Sequence, residues 1–285
     1  MMKFDLHSHT YFSDGKLSPE ELVERAVEKG VDILAITDHD TVKGLSIAEQ
    51  HINTKALPLT LVKGIEFSTK WETFEVHIVG LNIDTDNDLL KSLIDEQTEK
   101  RATRAGKMAE KLEKRGFENV LAEAKSLANK GQLTRAHFAQ VIQAQGAANT
   151  LQGVFKKFLV RGKPGYVTSE WCDIATAVKA IKAAGGQAVL AHPSRYKLSN
   201  KWLRRLLQEF KDAGGDGIEV ALPQQAPSDR QFLAQLAEEY QLLSSQGSDF
   251  HFATNWLELG KNLYLPKASV PIWQDWAIAK EQELN

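Results

Sequence analysis

Short apolar runs, each followed at once by a polar cluster carrying histidine, aspartate or glutamate, recur along this chain. Asp5-Leu6-His7-Ser8-His9-Thr10 opens the series, and Ile33–Ile36 leads into Thr37-Asp38-His39-Asp40. Glu66 and His77 fall within the apolar runs Ile65–Phe67 and Phe74–Leu81. Gln187–Ala191 delivers His192-Pro193, and Leu242–Ser245 delivers Gly247-Ser248-Asp249-Phe250-His251. Amphipathic helical stretches separate these runs. At Leu17-Ser18-Pro19-Glu20-Glu21-Leu22, Ser18 can cap, Pro19 suits the first helical position and Glu21 completes a capping box. The alternation predicts an α/β fold with a mostly parallel sheet of about seven strands. An open doubly wound sheet binds ligands mainly at one switch point, whereas a closed barrel gathers them from every strand end. Here nearly every strand contributes, which favours a closed barrel.

The rhythm breaks once. From about residue 100 to 165 the chain is helical and polar, with no strand-like run. We therefore expect a barrel from 1–100 and 165–285, with a small helical insertion at 100–165 overhanging the strand-end face. The insertion carries Arg101, Arg104, Lys107, Lys111, Lys114 and Arg115, interleaved with Glu99, Glu110 and Glu113. A solvated helix face with local ion pairs is the default for that pattern, and an RNA-tracking surface the alternative.

The chain has 285 residues, enough for a large core. Its formal charge of −2 argues against a general duplex-DNA binder but leaves room for a nucleotide gripped by a few arginines. The single cysteine, Cys172, excludes an internal disulfide, and no surrounding motif activates it. The N-terminal stretch is charged too early for a signal peptide, and no apolar run approaches the ~20 residues of a membrane span. A cytoplasmic location is expected, with no membrane association and no obligate protein partner.

His7, His9, Asp14, His39, Glu66, His77, His192, Asp249 and His251 form the candidate ligand set. His7 and His9 share a face in an extended segment. Imidazole with carboxylate suits Mn, Fe or Zn better than an all-oxygen site would. Nine donors exceed what one ion takes and fit two or three, with Glu66 placed to bridge. Asp38 and Asp40 are either further ligands or partners of ligand imidazoles. His51 and His137 lack a paired carboxylate motif and read as structural. Clustered divalent ions activate water and clamp a phosphoryl centre. Arg195, Arg135, and the pair Arg161 and Lys163 are candidate phosphate grips. Trp71, Tyr166 and Tyr196 could stack on a base or simply pack.

The set Asp5–Thr10, Asp14-Gly15, Ile36–Asp40, Glu66, His77, Ala191-His192-Pro193 and Ser248–His251 resembles, in order, the motifs of the polymerase-and-histidinol-phosphatase (PHP) family. The resemblance spans about 1–100 and 165–265. It implies a distorted (β/α)7 barrel of the PHP type holding a two- or three-metal phosphoesterase site. More narrowly, the chain resembles bacterial nucleoside 3′,5′-bisphosphate phosphatases, a group that includes 5′→3′ exoribonucleases. Carried across, one metal takes His7, His9, Glu66 and Asp249. A second takes Glu66, His77 and His192, and a third Asp14, His39 and His251. Arg135 and Arg195 then bind phosphate, and metal-bound hydroxide is the attacking group. Mn²⁺ is the expected ion, two or three per chain, with Fe, Zn or Mg as alternatives. The implied substrates are nucleoside 3′,5′-bisphosphates such as pAp, and short single-stranded RNA ends bearing a 5′-monophosphate, as in ribosomal RNA 5′-end maturation. Histidinol-phosphate phosphatase is the competing activity, and a non-catalytic, metal-stabilised binding module the competing class.

Overall fold

A computed structural model describes residues 2–129 and 131–277. Residue 130 of the expected insertion and the last residues of the expected barrel, 278–285, lie outside them. Among the described residues the sheet has eight strands. β1 (Phe4–Asp5), β2 (Ile33–Ile36) and β3 (Thr60–Trp71) pair in parallel. β4 (Phe74–Leu81) folds back antiparallel on β3, and a two-residue β5 (Cys172–Asp173) lies off the ring beside β3. β6 (Gln187–Leu190) runs antiparallel to β4, followed in parallel by β7 (Gly217–Ala221) and β8 (Leu243–Gln246). The Leu6 N–H donates to the Gln246 carbonyl at 3.1 Å, and Ser8 bridges Phe250 just beyond. These contacts bring the first and last strands together and nearly close the barrel.

β4 departs from the parallel expectation for a simple reason. Only Glu72 and Thr73 separate it from β3, with Glu72 at φ 52. A link that short makes a hairpin, never the long crossover that parallel strands need. Glu66 and His77 therefore project from within two paired strands, not from loops after them.

Phe4, Leu6, Ile33, Ala35, Val62, Val79, Leu81 and Val189 fill the barrel. Glu66 continues the inward row of Val62 on β3, and His77 that of Leu81 and Val79 on β4. The polar site is thus the upper layer of an otherwise apolar interior. Outside, α1 (Pro19–Glu28) and α2 (Lys43–Lys55) bury Leu22, Leu45 and Ile52 against Leu34 and Ile36. Ser18 and Glu21 form the expected capping box at α1.

After β4 come α3 (Asp88–Glu113), α4 (Val120–Ala128), α5 (Arg135–Ala144) and α6 (Leu151–Val154), with a π-helical turn at Phe155–Leu159. They pack around a core of their own that includes Met108, Leu112, Phe138, Ile142 and Leu159. α7 (Ile174–Ala183), α8 (Asn200–Asp212) and α9 (Pro227–Glu239) cover the remaining sheet face through Ile181, Leu206, Phe210 and Leu233. Asp173 and Ser199 cap α7 and α8.

The basic row on α3 is not uniformly solvated. Arg101 and Arg104 are buried. Arg101 Nε donates to Asp40 Oδ2 at 2.7 Å, and its Nη2 to Ser68 Oγ at 2.6 Å. Gln97 donates to the Ser68 carbonyl at 2.7 Å. Arg104 pairs with Glu75 at 2.7 Å. The partners lie on the barrel, too distant in sequence to be seen as i,i+4 pairs, and these bonds anchor α3 to the rim. Among the described residues no helix is long and apolar enough to cross a membrane.

Candidate metal centre

His7 and His9 leave β1 with their Nε2 atoms 3.1 Å apart. Both face Glu66 Oε2, at 3.3 Å each, and Asp249 Oδ1, at 3.4 and 3.1 Å. Glu66 is the hub. Its Oε1 meets His77 Nδ1 at 2.9 Å and His192 Nε2 at 3.0 Å, and its Oε2 lies 3.0 Å from His39 Nδ1. Asp14 Oδ1 stands 3.2 Å from His251 Nε2 and 3.8 Å from His39 Nε2. Three overlapping groups result: His7, His9, Glu66 and Asp249; His39, Glu66 and His77; and His9, Asp14, His39 and His251. All nine sequence candidates thus meet in one place, with His192 joined through Glu66.

Local chain geometry builds this density. Gly247 lets the end of β8 pass against His7, because a Cβ there would collide with the His7 Cβ. Phe250 is fully buried among the α1 and α2 side chains. Its burial contributes roughly 1.5–3 kcal/mol and pins the segment that carries Asp249 and His251. Asp40, His192 and Asp249 hold left-handed backbone at φ 50, 30 and 51. For a non-glycine residue this costs roughly 1–3 kcal/mol.

The electrostatics suit cations. Burial alone would raise the Glu66 carboxyl, but His39, His7 and His77 outweigh it and hold it well below its ordinary range. Asp14 is likewise held down against burial by His251 and His39, and Asp249 by Arg195 and His7. Burial would lower His9, yet Asp249 and Glu66 push it up to about 10. For His39 and His192 burial wins and the imidazoles are pushed down.

Asp14 Oδ1, His39 Nδ1, Glu66 Oε2 and His192 Nδ1 are buried without a hydrogen bond. His39 Nδ1 and Glu66 Oε2 are only 3.0 Å apart, yet their orientation forms no bond. Buried polar atoms without partners are costly. Imidazole and carboxylate donors aimed at shared points fit divalent metal ions.

The surrounding layer holds residues the sequence did not single out. Glu219 on β7 faces His7 Nδ1 at 2.6 Å and accepts the His192 backbone N–H at 2.5 Å. It sits inside the apolar run Gly217–Leu222, and a lone buried glutamate in such a run was the signal available. Tyr196 donates to the Ala191 carbonyl at 2.8 Å and accepts the His77 N–H at 2.9 Å, so its hydroxyl braces two ligand-bearing strands. Asp38 accepts from Thr10 and Ser13, and Ser13 Oγ lies 3.2 Å from His9 Nδ1. Asp40 accepts from Arg101, Gln97 and the Ser68 N–H. Trp71 is buried with its Nε1 on Glu209 at 2.6 Å, so it packs. His137 accepts the Thr134 N–H at 3.1 Å within the α5 cap, and His51 meets Glu24 at 2.8 Å.

Beside the centre, a cavity of about 130 Å³ opens beneath the helices. Asp14, His39 and His77 form its floor, Met108, Phe138 and Trp171 its apolar wall, and Arg135 its edge. Arg135 pairs with Glu75 at 2.8 Å, and Arg195 with Asp249. Both arginines therefore stand next to the centre, each already holding a carboxylate. Arg161 and Lys163 lie farther out and exposed.

The sequence is 50% identical over 273 residues to the 5′-3′ exoribonuclease Rnm of Escherichia coli, covering 96% of this chain and 93% of that one. It is 37% identical over 277 residues to the 3′,5′-nucleoside bisphosphate phosphatase of Chromobacterium violaceum, covering 96% of both. The fold superposes with a TM-score of 0.89, at 37% identity and 95% coverage of both chains, on a solved amidohydrolase from Chromobacterium violaceum with bound sulfate and no metal. The PHP domain pattern matches residues 5–221, and the chain belongs to the PHP domain family.

Proposed function

We propose that this protein is a metal-dependent phosphoesterase that converts nucleoside 3′,5′-bisphosphates such as pAp to AMP. On the same reading it removes mononucleotides 5′→3′ from single-stranded RNA carrying a 5′-monophosphate, as in ribosomal RNA 5′-end maturation. The observation that carries the reading is the hub position of Glu66, which joins the buried ligand groups at the floor of an arginine-edged cavity. The similarity to an exoribonuclease and to a bisphosphate phosphatase supports the substrate class. The sulfate bound by the Chromobacterium structure supports an oxyanion subsite. Cytoplasmic RNA is the substrate pool this reading requires.

In this reading His7, His9, Glu66 and Asp249 hold one ion, and Glu66, His77 and His192 a second. Asp14, His39 and His251 hold a third, and manganese is the working ion. Such ions, when bound, polarise the phosphoryl group and lower the pKa of water. The protein does the rest. Arg135 and Arg195 grip non-bridging oxygens through their planar forks. The apolar wall of Met108, Phe138 and Trp171 takes the nucleoside and limits water. Residues 100–165 act as an insertion that roofs the site and admits only flexible single-stranded ends.

The test is product analysis in Mn²⁺ on one short RNA with either a 5′-phosphate or a 5′-hydroxyl, beside pAp and histidinol phosphate. Stepwise mononucleotides from the phosphorylated RNA, with AMP from pAp, are expected. Phosphate release from histidinol phosphate alone would move the same centre to amino-acid biosynthesis. No turnover of any substrate with any metal would leave a binding module.

A further inference from the structure

A second cavity, of about 120 Å³, lies along the β3–β4 hairpin, with Lys70, Phe74, Glu75, Arg161 and Tyr166 in its lining. Glu75 also lines the cavity over the metal centre, so the two share a wall. The hairpin register explains the adjacency. Ser68 faces His77 and Lys70 faces Glu75 across the ladder. Glu66, Ser68 and Lys70 alternate onto one face of β3, so the row that begins at the hub ligand ends at a lysine. Arg161 and Tyr166 reach the same cavity from the chain that follows the π-helical turn.

The charges in this cavity are unevenly matched. Its two carboxylates are already occupied: Glu75 by Arg104 and Arg135, and Glu72 by Arg205 of α8. Lys70 and Arg161 have no carboxylate partner among the described residues. These two cations share the cavity lining with Phe74 and Tyr166, next to the proposed nucleotide phosphate site. Cations alternating with aromatic faces are how single-stranded nucleic acid is held without sequence preference.

We infer that this cavity is a downstream RNA subsite. Lys70 and Arg161 receive the backbone phosphates that follow the scissile one, and Phe74 and Tyr166 provide faces for the bases attached to them. The subsite rests on the exoribonuclease reading and extends it. The 5′-terminal nucleotide occupies the cavity over the metal centre, and the rest of the strand leaves along the hairpin past Glu75. A nucleoside bisphosphate fills only the inner cavity. The two substrate classes therefore differ in which residues they touch.

The experiment compares the wild-type enzyme with the double variant Lys70→Ala/Arg161→Ala on pAp and on a 5′-phosphorylated oligoribonucleotide, across a range of salt. Loss of the subsite should raise KM for the oligonucleotide roughly tenfold. It should also flatten the dependence of log KM on log salt by roughly 0.7 for each phosphate no longer neutralised. KM and kcat for pAp should stay unchanged, which also shows that the variant is folded and metal-loaded. An unchanged oligonucleotide KM, or an equal rise for pAp, would overturn the subsite. If the wild-type enzyme released no mononucleotides from the RNA while still cleaving pAp, the exoribonuclease reading itself would fall and the subsite with it.

Discussion

Glu219 holds His7 from behind: its Oε1 lies 2.6 Å from His7 Nδ1, leaving Nε2 aimed at Glu66 and Asp249. A carboxylate in this position fixes the tautomer and raises the basicity of the ligating nitrogen. Glu219→Gln should therefore weaken metal binding by roughly 10–100-fold while the chain stays folded. Metal retained after dialysis against graded chelator, together with far-UV circular dichroism, checks this. Wild-type retention would mean that Glu219 only packs.

Glu66 belongs to two of the overlapping ligand groups and touches His192 besides, whereas Asp14 belongs to one. Glu66→Gln should strip more metal per chain than Asp14→Asn. Metal analysis of the two purified variants, side by side, decides the point. Equal losses would remove Glu66 from its hub role.

Metal should also stabilise the fold, because the ligand atoms converge only when β1, β3, β4 and the end of β8 are assembled. At free metal one hundred times the dissociation constant, binding to the folded state alone adds roughly 2.7 kcal/mol. Thermal unfolding with and without Mn²⁺ should show a concentration-dependent rise in Tm. The rise should shrink in His7→Ala, which removes a ligand from one of the overlapping groups.

Arg101 joins α3 to Asp40 and Ser68, all three buried. Arg101→Ala leaves the Asp40 carboxylate buried with one partner fewer. The expected cost is about 3–5 kcal/mol, read from urea unfolding. A loss under about 1 kcal/mol would place the pair among weakly contributing surface ion pairs.

Arg135 and Arg195 should act on substrate affinity. Arg135→Ala and Arg195→Ala should each raise KM for pAp, and lysine should restore little because it lacks the planar fork. Steady-state kinetics measures both. Full rescue by lysine would indicate that only a positive charge is needed.

Burial pushes the Cys172 thiol up to about 12, with Asp40 adding to the rise. A raised thiol pKa means protonation throughout the neutral range, with thiolate appearing only at strongly alkaline pH. At pH 8 the thiolate fraction is on the order of one in ten thousand. Ellman's reagent should leave the native protein unlabelled at pH 8 and label it once denatured. Rapid native labelling would contradict the buried position.

Much of the barrel is readable from local pattern. Ser18 with Glu21, the run Ile33–Ile36 and Gly217–Leu222 each declare their element by caps or by apolar length. The direction of β4 was not declared by its own residues, because alternation looks the same in either direction; it follows from the two-residue link at Glu72. The candidate ligands were legible as residue types after strands. Their supports were less so. Glu219, Glu75 and the burial of Arg101 and Arg104 depend on partners far away in sequence, and a charged residue on a helix or strand looks solvated until its partner is known. Asp40 shows the same limit: it looked like a ligand's neighbour and serves as a helix anchor.

The seam between β1 and β8 has a consequence for synthesis. His7 and His9 emerge among the first residues, but Asp249 and His251 arrive only after the last strand, and the barrel nearly closes where Leu6 and Ser8 meet Gln246 and Phe250. No nascent fragment short of that seam contains the complete ligand set. On the proposed reading, a nascent chain still lacking Asp249 and His251 cannot attack the RNA around it, and competence arrives with the segment that follows β8.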